Sequence, residues 1–210
     1  MIKLRMLPTI VFAILVPTLG AAAQKSKKTV PDYFPLRVGD WWTYRSSSGG
    51  TEYSQKVFSE EKQADGTIRY LMEKLAGAKV HMLFSKTGGW VLMHSESYPE
   101  HEGLEAKYEP ARQYLQDPLV AHSQWGWTGE DYTKTKVTED NRVVGFEDVA
   151  VAAGKFRAMK VVSRIRGGAT ITRTSWYADG VGLVKSMTDA GQIKYGFELA
   201  DYSFKKKELK

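Results

Sequence analysis

From residue 40 to near the C-terminus the chain repeats one unit. A short run rich in β-branched and aromatic residues ends in glycine or a polar pair, and another such run follows. The runs fall at 40–45, 52–59, 67–74, 79–85, 90–97, 156–166, 170–177, 181–188 and 193–202. Their breaks are Ser46-Ser47-Ser48-Gly49-Gly50, Asp65-Gly66, Thr87-Gly88-Gly89, Gly167-Gly168 and Asp189-Ala190-Gly191. Asp65-Gly66 suits a two-residue type I′ turn, whose central positions both need positive φ. Helical periodicity is scarce, and its best candidate is 105–116, cut to one or two turns by Pro110 and Pro118. The expected fold is all-β: a single antiparallel meandering barrel or half-barrel of about ten or eleven strands with at most one short helix.

Strand pairing follows from the turns. If Ala190-Gly191 is a two-residue turn, Val184 faces Phe197 and Ser186 faces Tyr195. Ile193, Tyr195, Phe197 and Leu199 then share one face, as a half-buried strand requires. Val80, Met82 and Phe84 share a face in the same way. There is also a weak internal echo: Phe34-Pro35-Leu36 precedes Trp41-Trp42, and Pro118-Leu119-Val120 precedes Trp125-Gly126-Trp127, which at this length fits two similar halves and coincidence equally.

The first 23 residues have the layout of a secretory signal peptide. Lys3 and Arg5 precede an apolar run over 6–19, and Ala21-Ala22-Ala23 closes it. The run is too short for a spanning helix, which needs roughly 20 apolar residues. Removal after Ala23 leaves 24–31 as a polar lead-in, 32–204 as one β domain and 205–210 as a basic tail. The expected location is periplasmic or secreted, with no transmembrane segment in the mature chain. There is no cysteine, which excludes disulfides, thiolate metal sites, a cysteine nucleophile and a lipidated cysteine. Losing Lys3 and Arg5 takes the formal charge from +6 to +4, a mild excess. Much of it sits in Lys25, Lys27 and Lys28 and in Lys205, Lys206, Lys207 and Lys210. Nucleic acid is not an expected partner, because the chain is exported and has no basic-aromatic motif.

Two stretches resemble a known group. One is 33–44, YFPLRVGDWWTY. The other is 146–156, FEDVAVAAGKF, continuing through Ala158, Lys160 and Val161 to 176–185, WYADGVGLVK. They are similar to exported bacterial proteins of unknown function labelled TapB-like, related to the half-barrel superfamily of the lipoprotein carriers LolA and LolB. The resemblance implies a curved sheet with a concave apolar face that helices cover in the wider superfamily. This sequence offers almost no helix for such a cover.

The chemistry-bearing residues form no reaction signature. His94, Glu96, Glu100, His101 and Glu102 fall together, and His81 lies across from His94 or from Glu96, depending on the turn. Their spacing is not that of a metal site, so no metal and no cofactor are expected. His122-Ser123 are neighbours but no GxSxG elbow is present. Glu60-Glu61, Glu130-Asp131 and Glu139-Asp140 sit in turn-like contexts. No catalytic residue is assigned, and a non-enzymatic role is expected. The leading expectation is a cell-envelope protein that holds a lipid or other apolar or amphipathic ligand in the hollow of a curved sheet. Trp42, Tyr44, Met82, Trp90, Met93, Trp127 and Trp176 are the ligand-binding candidates. The alternative is a scaffold that docks another envelope protein through an edge strand or aromatic patch. A hydrolase or metal-dependent enzyme is a distant third.

Overall fold

The computed structural model describes residues 30–204 apart from 48, 50 and 51. The signal segment, most of the lead-in and the basic tail lie outside the described residues. Twelve strands appear among the described residues, one or two more than expected: β1 Trp41–Ser46, β2 Glu52–Lys62, β3 Ile68–Ala76, β4 Ala78–Thr87, β5 Trp90–Ser97, β6 Glu105–Gln116, β7 Gln124–Glu130, β8 Lys136–Val151, β9 Gly154–Arg166, β10 Thr170–Ala178, β11 Gly182–Asp189 and β12 Lys194–Tyr202. They form one sheet in the order β6-β5-β4-β3-β2-β1-β12-β11-β10-β9-β8-β7, antiparallel throughout. Pairing of β1 with β12 joins the two ends of the chain. Only β6 and β7, consecutive in sequence, lack a backbone ladder between them, so the sheet is a barrel closed except along one seam. The echoed segments, 34–36 and 118–120, each lead into the first strand of a six-stranded half.

The helix expected at 105–116 is strand β6. Buried Ala106 and Tyr108 alternate with exposed Glu105, Lys107 and Glu109, a period of two rather than 3.6. Pro110 is tolerated because β6 borders the seam, and the pairing with β5 is interrupted there, between Lys107 and Arg112.

Side chains close the seam. The Trp125 indole N–H donates to the Gln113 carbonyl at 3.0 Å, and Ser123 Oγ donates to Gln116 Oε1 at 2.5 Å. The Tyr108 and Trp127 rings meet edge to face at 5.3 Å. Inside the wall, Arg112 forms a two-pronged ion pair with Glu139. Arg112 sits over the Trp127 ring at 5.2 Å and the Tyr114 ring at 5.6 Å.

One end of the barrel is plugged by the chain leading into β1. Phe34 packs on Phe84 (5.1 Å) and Tyr114 (5.5 Å), with Tyr33 and Leu36 buried beside it. Lys86 Nζ ties the plug down by bridging Asp32 (2.6 Å) and Asp117 (2.9 Å). The Gly180 N–H donates to the Asp32 carbonyl at 2.7 Å. Gly182, at φ +92°, leaves the room that Pro35 occupies: a Cβ there would lie 3.3 Å from Pro35 Cδ.

Two turns differ from the sequence reading. Asp65-Gly66 belongs to a three-residue loop: Gln63 N–H donates to the Thr67 carbonyl at 2.8 Å, and only Gly66 has positive φ. In the last hairpin Asp189 pairs with Lys194 and the Ala190 N–H donates to the Ile193 carbonyl at 2.9 Å, so the two-residue turn is Gly191-Gln192, one position later, and Ser186 faces Phe197, not Tyr195. The common face of Tyr195, Phe197 and Leu199 survives, because a shift of two keeps parity. Ile193 follows the turn, just outside the strand.

Candidate functional site

The barrel is a cup. Eight strands enclose an interior that side chains just fill, whereas twelve enclose more than ordinary core residues occupy. The difference is a cavity of about 400 Å³ toward the end opposite the plug. The plugged end has almost no such space: the hollow beside Phe34, Trp42 and Tyr44 is about 20 Å³.

The seven ligand-binding candidates divide among four environments. Met82, Met93 and Trp127 line the cavity. Trp42 and Tyr44 are floor residues packed under it, where the indole N–H donates to the Val181 carbonyl at 2.8 Å and the phenol to the Leu183 carbonyl at 2.9 Å. Trp90 stands at the seam with its ring 5.9 Å from that of Trp125. Trp176 faces outward, because Ile171, Arg173, Ser175 and Tyr177 are the β10 positions that line the cavity. Lys160 and Lys185 cover its ring with Nζ at 5.4 and 5.5 Å. The Trp127 ring lies over its own strand at Gly129, where a Cβ would be 2.2 Å from Trp127 Cζ2.

Strand register builds the polar part of the lining. Asn141 on β8 pairs with Ser163 on β9, which pairs with Arg173 on β10. Arg173 pairs with Thr188 on β11, and Thr188 with Tyr195 on β12. These five side chains form one continuous row around the inner wall, with neighbours about 5 Å apart at Cβ. Lys74 on β3 and Glu96 on β5 face the same space. Glu96 points inward because His94 is an extra residue opposite Leu83 and Phe84, which reverses the parity of β5 beyond it.

Each inner acid is engaged. Glu139 holds Arg112. Glu96 accepts the Tyr108 hydroxyl at 3.4 Å. Burial, with Glu96 adding to it, pushes the Tyr108 phenol up to about 12. Asp131, at the rim, accepts from Thr133 Oγ1 (2.6 Å) and from the N–H groups of Thr133 (2.8 Å) and Thr135 (3.0 Å). Burial raises the Asp131 carboxyl, but these hydrogen bonds outweigh it and hold the pKa below its ordinary value. Because the folded pKa is depressed, this stabilisation is full above the ordinary carboxylate pKa and is lost as pH falls through the folded value. Asp131→Ala is expected to cost about 1 kcal/mol at neutral pH, given its exposure. In urea denaturation the gap from wild type should shrink at pH 3; a gap equal at both pH values contradicts this origin.

The histidines do not converge. The same β5 bulge shifts the register so that His81 faces Ser97, neither His94 nor Glu96. His81 Nε2 contacts Glu73 at 3.2 Å, His94 Nε2 contacts Ser85 Oγ at 2.8 Å, and His101 lies in the loop after β5. Among the described residues no three or more histidines and carboxylates are placed to hold a metal ion. Glu60-Glu61 and Glu139-Asp140 lie within strands rather than in turns, and Glu139 points inward while Asp140 bridges outward to Arg166 at 2.5 Å.

The outer wall carries further ion pairs, among them Arg45–Glu198 at 2.6 Å and Lys160–Glu147 at 2.9 Å. Among the described residues no helix is long and apolar enough to cross a membrane.

A model of the family described as DUF3108-like matches residues 64–189. No curated protein matches the sequence. The backbone is similar to that of a Bacteroides fragilis protein provisionally named as exported, with a YmcC-like fold. The two share 13% identity and a TM-score of 0.52, over 82% of this chain and 99% of that one. A Parabacteroides distasonis protein provisionally named a lipoprotein is similar at 14% identity and a TM-score of 0.49, over 84% of this chain and 100% of that one.

Proposed function

The chain belongs to the DUF3108-like family, and from the cup within its barrel we propose that it is a non-enzymatic protein of the cell envelope that holds a small amphipathic molecule. The observation that carries this reading is the cavity of about 400 Å³ with a sealed floor and a mixed aromatic and polar wall. A site of this size and lining takes a molecule with one apolar and one polar part. Burying the apolar part supplies roughly 25 cal/mol per Å² removed from water. The wall is too polar for a wholly apolar ligand, which narrows the expectation to the amphipathic class.

Three further points support an envelope location. The first 23 residues have an export layout. The fold neighbour from Bacteroides fragilis is named as exported. The likeness of 146–156 and 176–185 to TapB-like proteins leads through them to half-barrel carriers of acylated proteins.

The test is native mass spectrometry of the exported chain, followed by solvent extraction of whatever co-purifies. A stoichiometric adduct is expected. Ile171→Trp, which places an indole at the cavity wall, should lower adduct retention at least about tenfold. Trp176→Phe, on the outer face, should leave retention unchanged. An apo mass that stays apo after incubation with amphiphiles would sink the reading.

A further inference from the structure

The inner wall carries more donors than it has acceptors to meet them. Of the three inner bases, Arg112 is taken up by Glu139. Lys74 and Arg173 have neither an ion pair nor a hydrogen-bond acceptor among the described residues. Lys74 Nζ instead stands over the Tyr53 ring, 4.7 Å from its centre. Burial holds the Lys74 pKa below its ordinary value, and Arg173 adds to this against the pull of Glu96. A third orphan lies in the polar row: Asn141 is buried, its Oδ1 accepts from Ser163 Oγ at 2.6 Å, and its Nδ2 has no acceptor. Asn141 and Arg173 are separated in that row only by Ser163.

Leaving the buried Asn141 amide and two half-buried like charges unmet costs free energy, and Glu96, the one acid that acts on Lys74, offsets it only in part because it makes no ion pair there. A bound anion would relieve all three at once. The planar Arg fork fits a carboxylate or a phosphate in two-pronged fashion, and the Lys ammonium adds a point charge. Burial keeps the phenols of Tyr53 and Tyr177 protonated, so both remain donors. The apolar remainder of the wall, including Ile165, Ile171, Leu183 and Phe197, suits a hydrocarbon chain.

Building on the reading of the cup as a ligand site, we propose that its ligand is an anionic amphiphile whose carboxylate or phosphate head lies between Lys74 and Arg173, within reach of the Asn141 amide. The anion is recognised by unmet donors rather than by net charge, because the six charged groups that line the cavity sum to zero.

Calorimetric titration of the exported chain with four probes of one chain length tests this. The probes are octanoate, octyl phosphate, octanol and octyltrimethylammonium. At least one anionic probe should bind about tenfold or more tightly than octanol, with the cation weakest. The stronger of octanoate and octyl phosphate identifies the head as carboxylate or phosphate. Lys74→Met/Arg173→Met should keep octanol binding and bring the anions to within about threefold of it. Both changes remove an unpaired inner charge, so the variant is expected to fold, as circular dichroism will check. If it does not, Lys74→Met alone must still lower the preference about threefold, or the assignment fails. Octanol binding as tightly as both anions, or a preference that survives the double change, overturns the anion site and leaves the cup reading standing. Inorganic phosphate is titrated beside them as a control, and its binding as tightly as octyl phosphate overturns the amphiphile half of the proposal. No binding of any probe to wild type sinks the cup reading, and this inference with it.

Discussion

Arg112→Met is expected to destabilise the protein by about 3 to 5 kcal/mol, the usual cost of removing one partner from a buried ion pair. The loss comes less from the missing attraction than from what stays behind. Glu139 is only 5% exposed, and both its carboxylate oxygens are met by Arg112. Without the guanidinium it must stay charged in the wall or take up a proton, and both cost free energy. The change also removes the cation from the Trp127 and Tyr114 rings. Because Arg112 comes from β6 and Glu139 from β8, the pair spans the seam that no backbone ladder closes. Urea denaturation of the single variant and of Arg112→Met/Glu139→Leu separates the contributions. The double variant should recover most of the loss, since a well-packed apolar pair can replace a buried ion pair at little cost. A loss under about 1 kcal/mol in the single variant would mean that the seam is held by Trp125, Tyr108 and the loops instead.

The same pair shows where sequence reading stops. The strand runs were legible because each is short, alternates with period two and ends at a glycine or polar turn. The 105–116 segment was not, because Glu, Ala, Gln, Arg and Leu are good helix formers and local propensity favours the wrong element. Barrel closure overrides it: Ala106, Tyr108 and Leu115 are needed inside. Register was legible only to within the bulges. The extra residue at His94 and the displacement of the last turn by one residue to Gly191-Gln192 moved partners by one and two positions, and neither leaves a mark in composition.

The site was partly legible. Met82, Met93 and Trp127 were found by treating methionine and aromatic residues as cavity lining. That rule misplaced Trp176, which parity would have put outside with Lys160 and Lys185. It also missed Lys74, Arg112, Glu139 and Arg173, because charged residues are expected on the surface. A usable signal was present: Arg173 is two residues from both Ile171 and Ser175, and Lys74 two from Met72, so all share the inward parity. A charged residue in phase with a buried face points to a polar interior.

At the floor of the cup, Phe84→Ala is expected to cost about 3 to 5 kcal/mol, the range for a buried phenylalanine truncated in a packed core. Phe84 is 1% exposed and lies between the plug and the wall, with its ring 5.1 Å from Phe34 and 5.2 Å from Tyr114. The free energy has two parts. One is the lost transfer of the ring, and the other is the hollow left under Phe34, which the strand backbone is too rigid to close. Phe34→Ala should cost less, because Phe34 is only half-buried and sits on a segment that can shift. Denaturation midpoints of both variants give the order. Were Phe34→Ala as costly as Phe84→Ala, the plug would be a structural keystone in its own right. Were both below about 1 kcal/mol, the floor would not be part of the core. A lost floor also deepens the cup, so Phe84→Ala should bind an amphiphile two to four carbons longer with less penalty than wild type, each buried methylene adding about 0.8 kcal/mol. Chain-length preference that does not move would place the ligand wholly above the Phe34–Phe84–Tyr114 cluster, nearer the polar row of Asn141, Ser163 and Arg173.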